Sequence, residues 1–119
     1  MAITPAMQTQ LTAFIAFAQG LVDRNHLANL ASYPELLADA DYVARTREVV
    51  SVMPGGVRYA RIVIAGQVSR SVYCFIDLEN GDILKAEGWK KPAKHARGNL
   101  GTPSGWNTAV TAYGGAYLR

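Results

Sequence analysis

Apolar residues at Met7, Leu11, Phe14, Ile15, Ala18, Leu21 and Val22 recur at helical spacing, and Thr4 before Pro5 offers a cap followed by proline at the first helical position. Together they predict a helix over about residues 5–23. Its outward positions, Gln8, Thr9, Thr12, Ala16 and Gln19, carry no charge before Asp23, a neutrality that fits a helix covered on two sides by the fold or by a second copy of the chain. Asn25 to Ala31 reads as a separate short turn of helix, stopped at Tyr33 because a residue before proline avoids the helical region. Pro34 restarts a helix whose stripe is Leu36, Leu37, Ala40 and Val43, ending near Ala44.

From Glu48 onward the period drops to two and β-branched residues take over, which predicts strands over roughly 48–53, 57–65, 71–78 and 82–89, with breaks at Pro54-Gly55-Gly56 and Gly66-Gln67. The last hairpin permits an argument about register. A two-residue Asn80-Gly81 loop would mix charged and apolar groups on each face. A three-residue loop of Glu79, Asn80 and Gly81 sets Ile76 opposite Leu84 and Cys74 opposite Ala86 on the core side, with Phe75 opposite Lys85 and Tyr73 opposite Glu87 on the other. Gly81 is then the left-handed residue. Beyond Gly88, the glycines at 98, 101, 105, 114 and 115 with Pro92 and Pro103 predict a long loop, pinned to the sheet by Trp89, Trp106, Tyr113, Tyr117 and Leu118.

The expected architecture is therefore α+β, with N-terminal helices packed on an antiparallel three- to four-stranded meander and a long Gly/Pro-rich basic C-terminal loop. At 119 residues, half of them hydrophobic, the chain forms one domain with a helical part (1–45), a sheet (46–89) and a loop segment (90–119). The single cysteine, Cys74, sits between Tyr73 and Phe75 and is expected to behave as a small buried hydrophobe. No lysine or arginine precedes Arg24 and no apolar run reaches the ~20 residues of a membrane span, so a soluble, intracellular protein without a membrane partner is expected.

Charge changes the picture. Residues 1–56 hold three arginines against five acids, a net −2, whereas residues 57–119 hold nine lysines and arginines against four acids, a net +5. After Glu87 no acid occurs. The stretch GWKKPAKHARGN gathers Lys90, Lys91, Lys94 and Arg97 with His95, and Gly98 would let backbone N–H groups approach an anion. With Lys85, Trp89 and Asn99 these residues form the candidate phosphate-binding set, and Trp89, Tyr73 and Phe75 could stack on bases. The plainer alternative makes the lysines a solvated rim and Trp89 an anchor.

No phosphate-loop or dinucleotide-binding glycine pattern is present, and His26 and His95 with a lone cysteine make a metal site unpromising, so neither cofactor nor metal is expected. His95, in the lysine-rich stretch, is the one candidate base, and Asp77 and Asp82 read as turn residues and ion-pair partners. A non-enzymatic role is expected.

The segments VRYARIV (57–63), SVYCFIDLENGDILKAEGWKKPAKHARGN (71–99) and YGGAYLR (113–119) resemble a family of small proteins encoded by tailed bacteriophages, which share an SVYCFID strand, a turn ending in Gly-Asp, a W-x-x-P-A-K-x-x-R-G-N segment and a Tyr/Gly-rich close. The matching residues are Asp77, Gly81, Asp82, Lys85, Trp89, Pro92, Ala93, Lys94, Arg97, Gly98 and Asn99. Gly88 departs from the pattern, as does the lack of an acid soon after Asn99. The resemblance covers about the second half of the chain and implies a phage origin, with action in the host cytoplasm or in the virion, and no assigned activity. Two functions are in view: an accessory protein that binds an anionic ligand, single-stranded nucleic acid or a nucleotide, through residues 89–99, and a virion component or host-protein inhibitor acting through protein–protein contact.

Overall fold

In the computed structural model, which describes residues 3–53 and 58–116, the first helix runs unbroken as α1, Pro5–Leu30. Thr4 caps it, its hydroxyl accepting the Met7 N–H at 3.1 Å. The expected end near Asp23 is passed because no glycine or proline interrupts residues 24–31 and Leu30 continues the buried stripe of Leu11, Phe14, Ala18 and Val22. The Tyr33-Pro34 pair stops it. Two short helices, α2 (Pro34–Leu37) and α3 (Ala40–Thr46), replace the single one expected, since Asp39 turns extended and caps α3 by accepting the Tyr42 N–H at 3.1 Å.

Five strands follow: β1 (Val49–Met53), β2 (Tyr59–Ala65), β3 (Arg70–Asp77), β4 (Asp82–Ala86) and β5 (Pro92–Asn99). They form one antiparallel sheet in sequential order. The α+β class is as expected, whereas β5 lies where a basic loop was expected. Its composition is that of an edge strand: proline can take the first position, where its missing N–H is harmless, and cations and bulges discourage pairing with another chain. Two register shifts against β4 supply the bulges, and opposite Lys85 alone stand Ala93, Lys94 and His95. The break expected at Pro54 to Gly56 lies outside the described residues.

The β3–β4 register is one residue from the expected one. Ile76 pairs with Ile83 and Phe75 with Leu84, because the connection has four residues, Leu78 to Gly81. Asp77 organises it: its carbonyl accepts the Gly81 N–H at 2.7 Å and its carboxylate accepts the Glu79 N–H at 2.9 Å. Leu78, expected at the end of a strand, folds into the core instead. Gly81 has φ +82°, the left-handed conformation foreseen for it.

α1 lies on the face formed by Val50, Ala60, Ile62, Ile64, Cys74, Ile76 and Ile83. Tyr73 joins this face rather than the opposite one, because the β2–β3 register shifts between Ile62 and Val63 and skips it. After β5, Leu100 enters the core, and Trp106 packs edge-on to Phe14 (centroids 5.5 Å apart, planes at 81°) and beside Phe17 (5.7 Å) while its indole N–H donates to the Asn99 carbonyl at 3.0 Å. A 3-10 turn (Pro103–Gly105), α4 (Trp106–Ala109) and a two-stranded hairpin of β6 (Val110–Thr111) and β7 (Gly114–Gly115) complete the described chain. Of the anchors expected here, Trp106 holds and Tyr113 does not, being 80% exposed; Tyr117 and Leu118 lie outside the described residues.

Candidate functional site

The candidate residues divide into a group used by the fold and a group left at the surface. Asn99 belongs to the first: its amide N–H groups donate to the Asn80 carbonyl and to Asp82, both at 2.9 Å, and its side-chain oxygen accepts the Gly101 N–H at 2.8 Å. It ties the β3–β4 turn to the end of β5. Gly98 is there for close packing, since a Cβ added to it would stand 2.7 Å from that of Ala109. Arg97 spends its guanidinium on main-chain carbonyls, donating to Ala116 at 2.8 Å and to His95.

Lys90 and Lys94 are exposed and have no acid within ion-pairing distance among the described residues, and Lys91 lies 3.9 Å from Glu87, both well solvated, a pair of little energetic weight. His95 is exposed on β5. Lys85 donates to the Ala86 carbonyl at 3.5 Å and follows Leu84, so it lies on the α1 side of the sheet, beneath Gly115 of β7.

Trp89 is where the opposite face becomes chemically distinctive. One rung of the sheet runs Met53, Arg61, Phe75, Leu84 across β1 to β4. The Arg61 guanidinium sits 5.8 Å from the Phe75 ring centre and 5.0 Å from that of Trp89, and its Nε donates to the Trp89 carbonyl at 2.8 Å, so the β4–β5 turn is folded back over the sheet. Arg70, at the start of β3, places its guanidinium 5.2 Å from the same indole. Phe75 is thereby almost fully covered, whereas Trp89 keeps 37% of its surface. Neither Arg61 nor Arg70 has a carboxylate partner among the described residues, unlike Arg58, which pairs with Asp77 at 3.2 Å and Glu79 at 3.0 Å.

Arg61 and Arg70 were missed in the sequence because they lie 28 and 19 residues before Trp89, on two different strands. A signal existed in the strand alternation: Arg61 interrupts the apolar run of β2 on the face away from the helix. They form a pair of cations around one half-exposed indole, and the exposed Lys90 follows it in the chain. A shallow cleft of about 310 Å³ beside it is lined by Arg70, Ser71, Val72, Ala86, Glu87, Gly88 and Trp89.

Other polar groups have structural partners. The His26 Nε2 lies 3.2 Å from the Thr46 hydroxyl and 3.3 Å from the Val43 carbonyl, where it holds α3 to α1. Cys74 is fully buried and burial pushes its thiol pKa far up, so it has no thiolate at neutral pH. Among the described residues no group of three His, Cys, Asp or Glu could hold a metal, and no helix is long and apolar enough to cross a membrane.

A family profile matches residues 4–118, reaching through the helical half that the strand and turn motifs do not cover. The chain belongs to DUF7717, a family of unknown function. No curated protein and no solved structure shows significant similarity to this DUF7717 chain. Membership therefore carries no activity with it, and the functional argument rests on the Arg61, Arg70 and Trp89 arrangement.

Proposed function

We propose that the protein is a non-enzymatic binding protein for single-stranded nucleic acid, using the sheet face where Arg61, Arg70 and Trp89 meet, with Lys90, Lys91 and Lys94 in the adjoining chain. The observation that carries this reading is the pair of guanidiniums over one half-exposed indole, neither within ion-pairing distance of a carboxylate among the described residues. Guanidinium planes and indoles both accept a stacked base, and the surplus charge meets phosphates. A sheet face with an exposed ring suits an unstacked strand better than a duplex groove. Origin in a tailed phage, with action in the host cytoplasm, is part of the same proposal and is supported by the resemblance of residues 57–63, 71–99 and 113–119.

The test is binding of a labelled oligothymidylate across a salt series. If about three cations contact phosphates, log K falls with log salt at a slope of about −2 for a single strand. Arg70→Gln with Lys90→Gln should weaken binding at least tenfold and flatten that slope. Binding that ignores salt, or that survives the double substitution, would overturn the proposal and favour the virion or host-inhibitor alternative.

A further inference from the structure

The cleft beside Trp89 has a chemistry that phosphate binding does not use. The β3–β4 ladder consists of two pairs, Phe75 with Leu84 and Ile76 with Ile83. Beyond Phe75 the strands part, and the cleft of about 310 Å³ opens between Arg70 to Val72 on one side and Ala86 to Trp89 on the other. Its rim is held by the chain itself. The Glu87 and Gly88 N–H groups both donate to the Lys91 carbonyl, at 2.9 and 3.1 Å, which closes the turn, and Arg61 holds the Trp89 carbonyl at 2.8 Å. At Gly88 an added Cβ would meet nothing within 4 Å, and its φ is not in the left-handed region, so neither packing nor backbone conformation requires a glycine there. The missing side chain leaves the cleft open.

Glu87 is the last acid in the chain and the one acid that lines the cleft. A carboxylate repels phosphate, so its position beside a nucleic-acid face calls for a different contact. The 3.9 Å approach to Lys91 is long and joins two solvated groups, and it leaves the carboxylate able to accept further hydrogen bonds. An ionised carboxylate only accepts, through two oxygens side by side. Among the common bases, guanine presents two adjacent donors that match it, the N1–H and the N2 amino group. Adenine and cytosine set one amino group beside a bare ring nitrogen, and thymine and uracil set one N–H between two carbonyls, which a carboxylate repels. Trp89, half-exposed with the Arg70 guanidinium 5.2 Å from its ring centre, supplies a stacking surface at the mouth of the same cleft.

We propose that this cleft makes the Trp89 face selective for guanine, taking one base against the Trp89–Arg70 stack with its N1–H and N2 amino edge on the Glu87 carboxylate. The inference rests on the single-strand reading above and adds the base that the site selects. The experiment compares the full chain's affinity for a short labelled oligothymidylate, for the same strand with one central deoxyguanosine, and for the strand with deoxyinosine in that place, which lacks the N2 amino group. The guanine strand should bind about tenfold tighter than oligothymidylate, the scale of one bidentate base contact, and inosine should forfeit most of that gain. Glu87→Ala, at an exposed position, should bring the guanine and thymine strands within about twofold of each other, because the two acceptors are gone. Gly88→Leu should do the same by filling the cleft. Salt-dependent binding of oligothymidylate with no preference for guanine, or a preference that survives Glu87→Ala, overturns the guanine assignment and leaves the single-strand reading standing. Failure of all three strands to bind overturns both.

Discussion

The side-chain amide of Gln19 stands in for a missing strand beside Val50. Its oxygen accepts the Val50 N–H at 2.8 Å and its nitrogen donates to the Glu48 carbonyl at 2.8 Å, so a helix residue closes part of the open edge of β1. The sequence pattern places Gln19 on an outward, neutral helix face, but the structure turns it onto the sheet. Unlike β5, β1 has no lysine, proline or bulge of its own, and Val49 is 46% exposed. Gln19→Leu should cost about 1 kcal/mol in chemical unfolding, the usual net loss for hydrogen bonds of this kind, and should raise self-association seen by sedimentation. Unchanged stability and a strictly unchanged sedimentation profile would show that the amide does neither job.

Gly98 faces Ala109 with no room for a methyl group between them. Gly98→Ala is expected to destabilise by about 1–3 kcal/mol through overpacking, and adding Ala109→Gly should recover part of that loss, giving a non-additive pair in a double-mutant cycle. Additive losses would place the cost in the β5 backbone rather than in the contact.

Asn99 makes three side-chain hydrogen bonds that join the β3–β4 turn to the end of β5. Asn99→Ala should lower stability by about 1–3 kcal/mol, with hydrogen exchange speeding up first in residues 78–82, and should leave the salt slope of oligonucleotide binding as it is. A reduced slope with full stability would return Asn99 to the binding surface.

Acid and alkali should act on different groups. The hydrogen bond from Arg47 holds the Asp23 carboxyl below its ordinary 3.8, burial opposing and Gln19 assisting, so its contribution is complete above that value and is lost as pH falls through the lower folded-state pKa. Burial pushes the Cys74 thiol above its ordinary 9.0 and the Tyr73 hydroxyl above 10.0, so the unfolded chain releases these protons first and stability declines as pH rises beyond about 9. Cys74→Ala should remove the lower part of the alkaline decline while costing stability at neutral pH, both measured by unfolding at fixed temperature across pH. An alkaline limb identical in Cys74→Ala would count against the buried thiol as its source.

The binding face invites a separate check on Trp89. Because Arg61 holds its carbonyl and two guanidiniums lie against its ring, Trp89→Ala should loosen the β4–β5 turn and expose Phe75, seen as faster hydrogen exchange at residues 87–91, besides weakening oligonucleotide binding. Trp89→Phe should keep the turn ordered and recover part of the binding. Loss of binding with Trp89→Phe equal to that with Trp89→Ala would show that ring stacking is not the interaction.

The periodic signals were enough for the start and the buried stripe of α1, the four strands up to Ala86, the buried Cys74 and the left-handed Gly81, because each depends on side chains close in sequence: a cap and its proline, a 3.6 or a 2-residue repeat, a glycine where φ must be positive. The hairpin register was not legible in the same way. It turns on Leu78 entering the core and on Asp77 gathering two N–H groups, and the depth of the core is set by α1, which ends at Leu30, far back in the chain. The segment at 92–99 read as a loop because proline, glycine and cations oppose strand formation locally, and only the exposed edge of β4 gives those residues a partner that makes a strand favourable. The candidate site divided for the same reason. Adjacent cations in the sequence are a shared charge, but whether Arg97, Gly98 and Asn99 bind a ligand or brace the chain depends on Ala116, Ala109 and Asn80, which tertiary packing alone brings within hydrogen-bonding or contact distance, just as it carries Arg61 and Arg70 to Trp89.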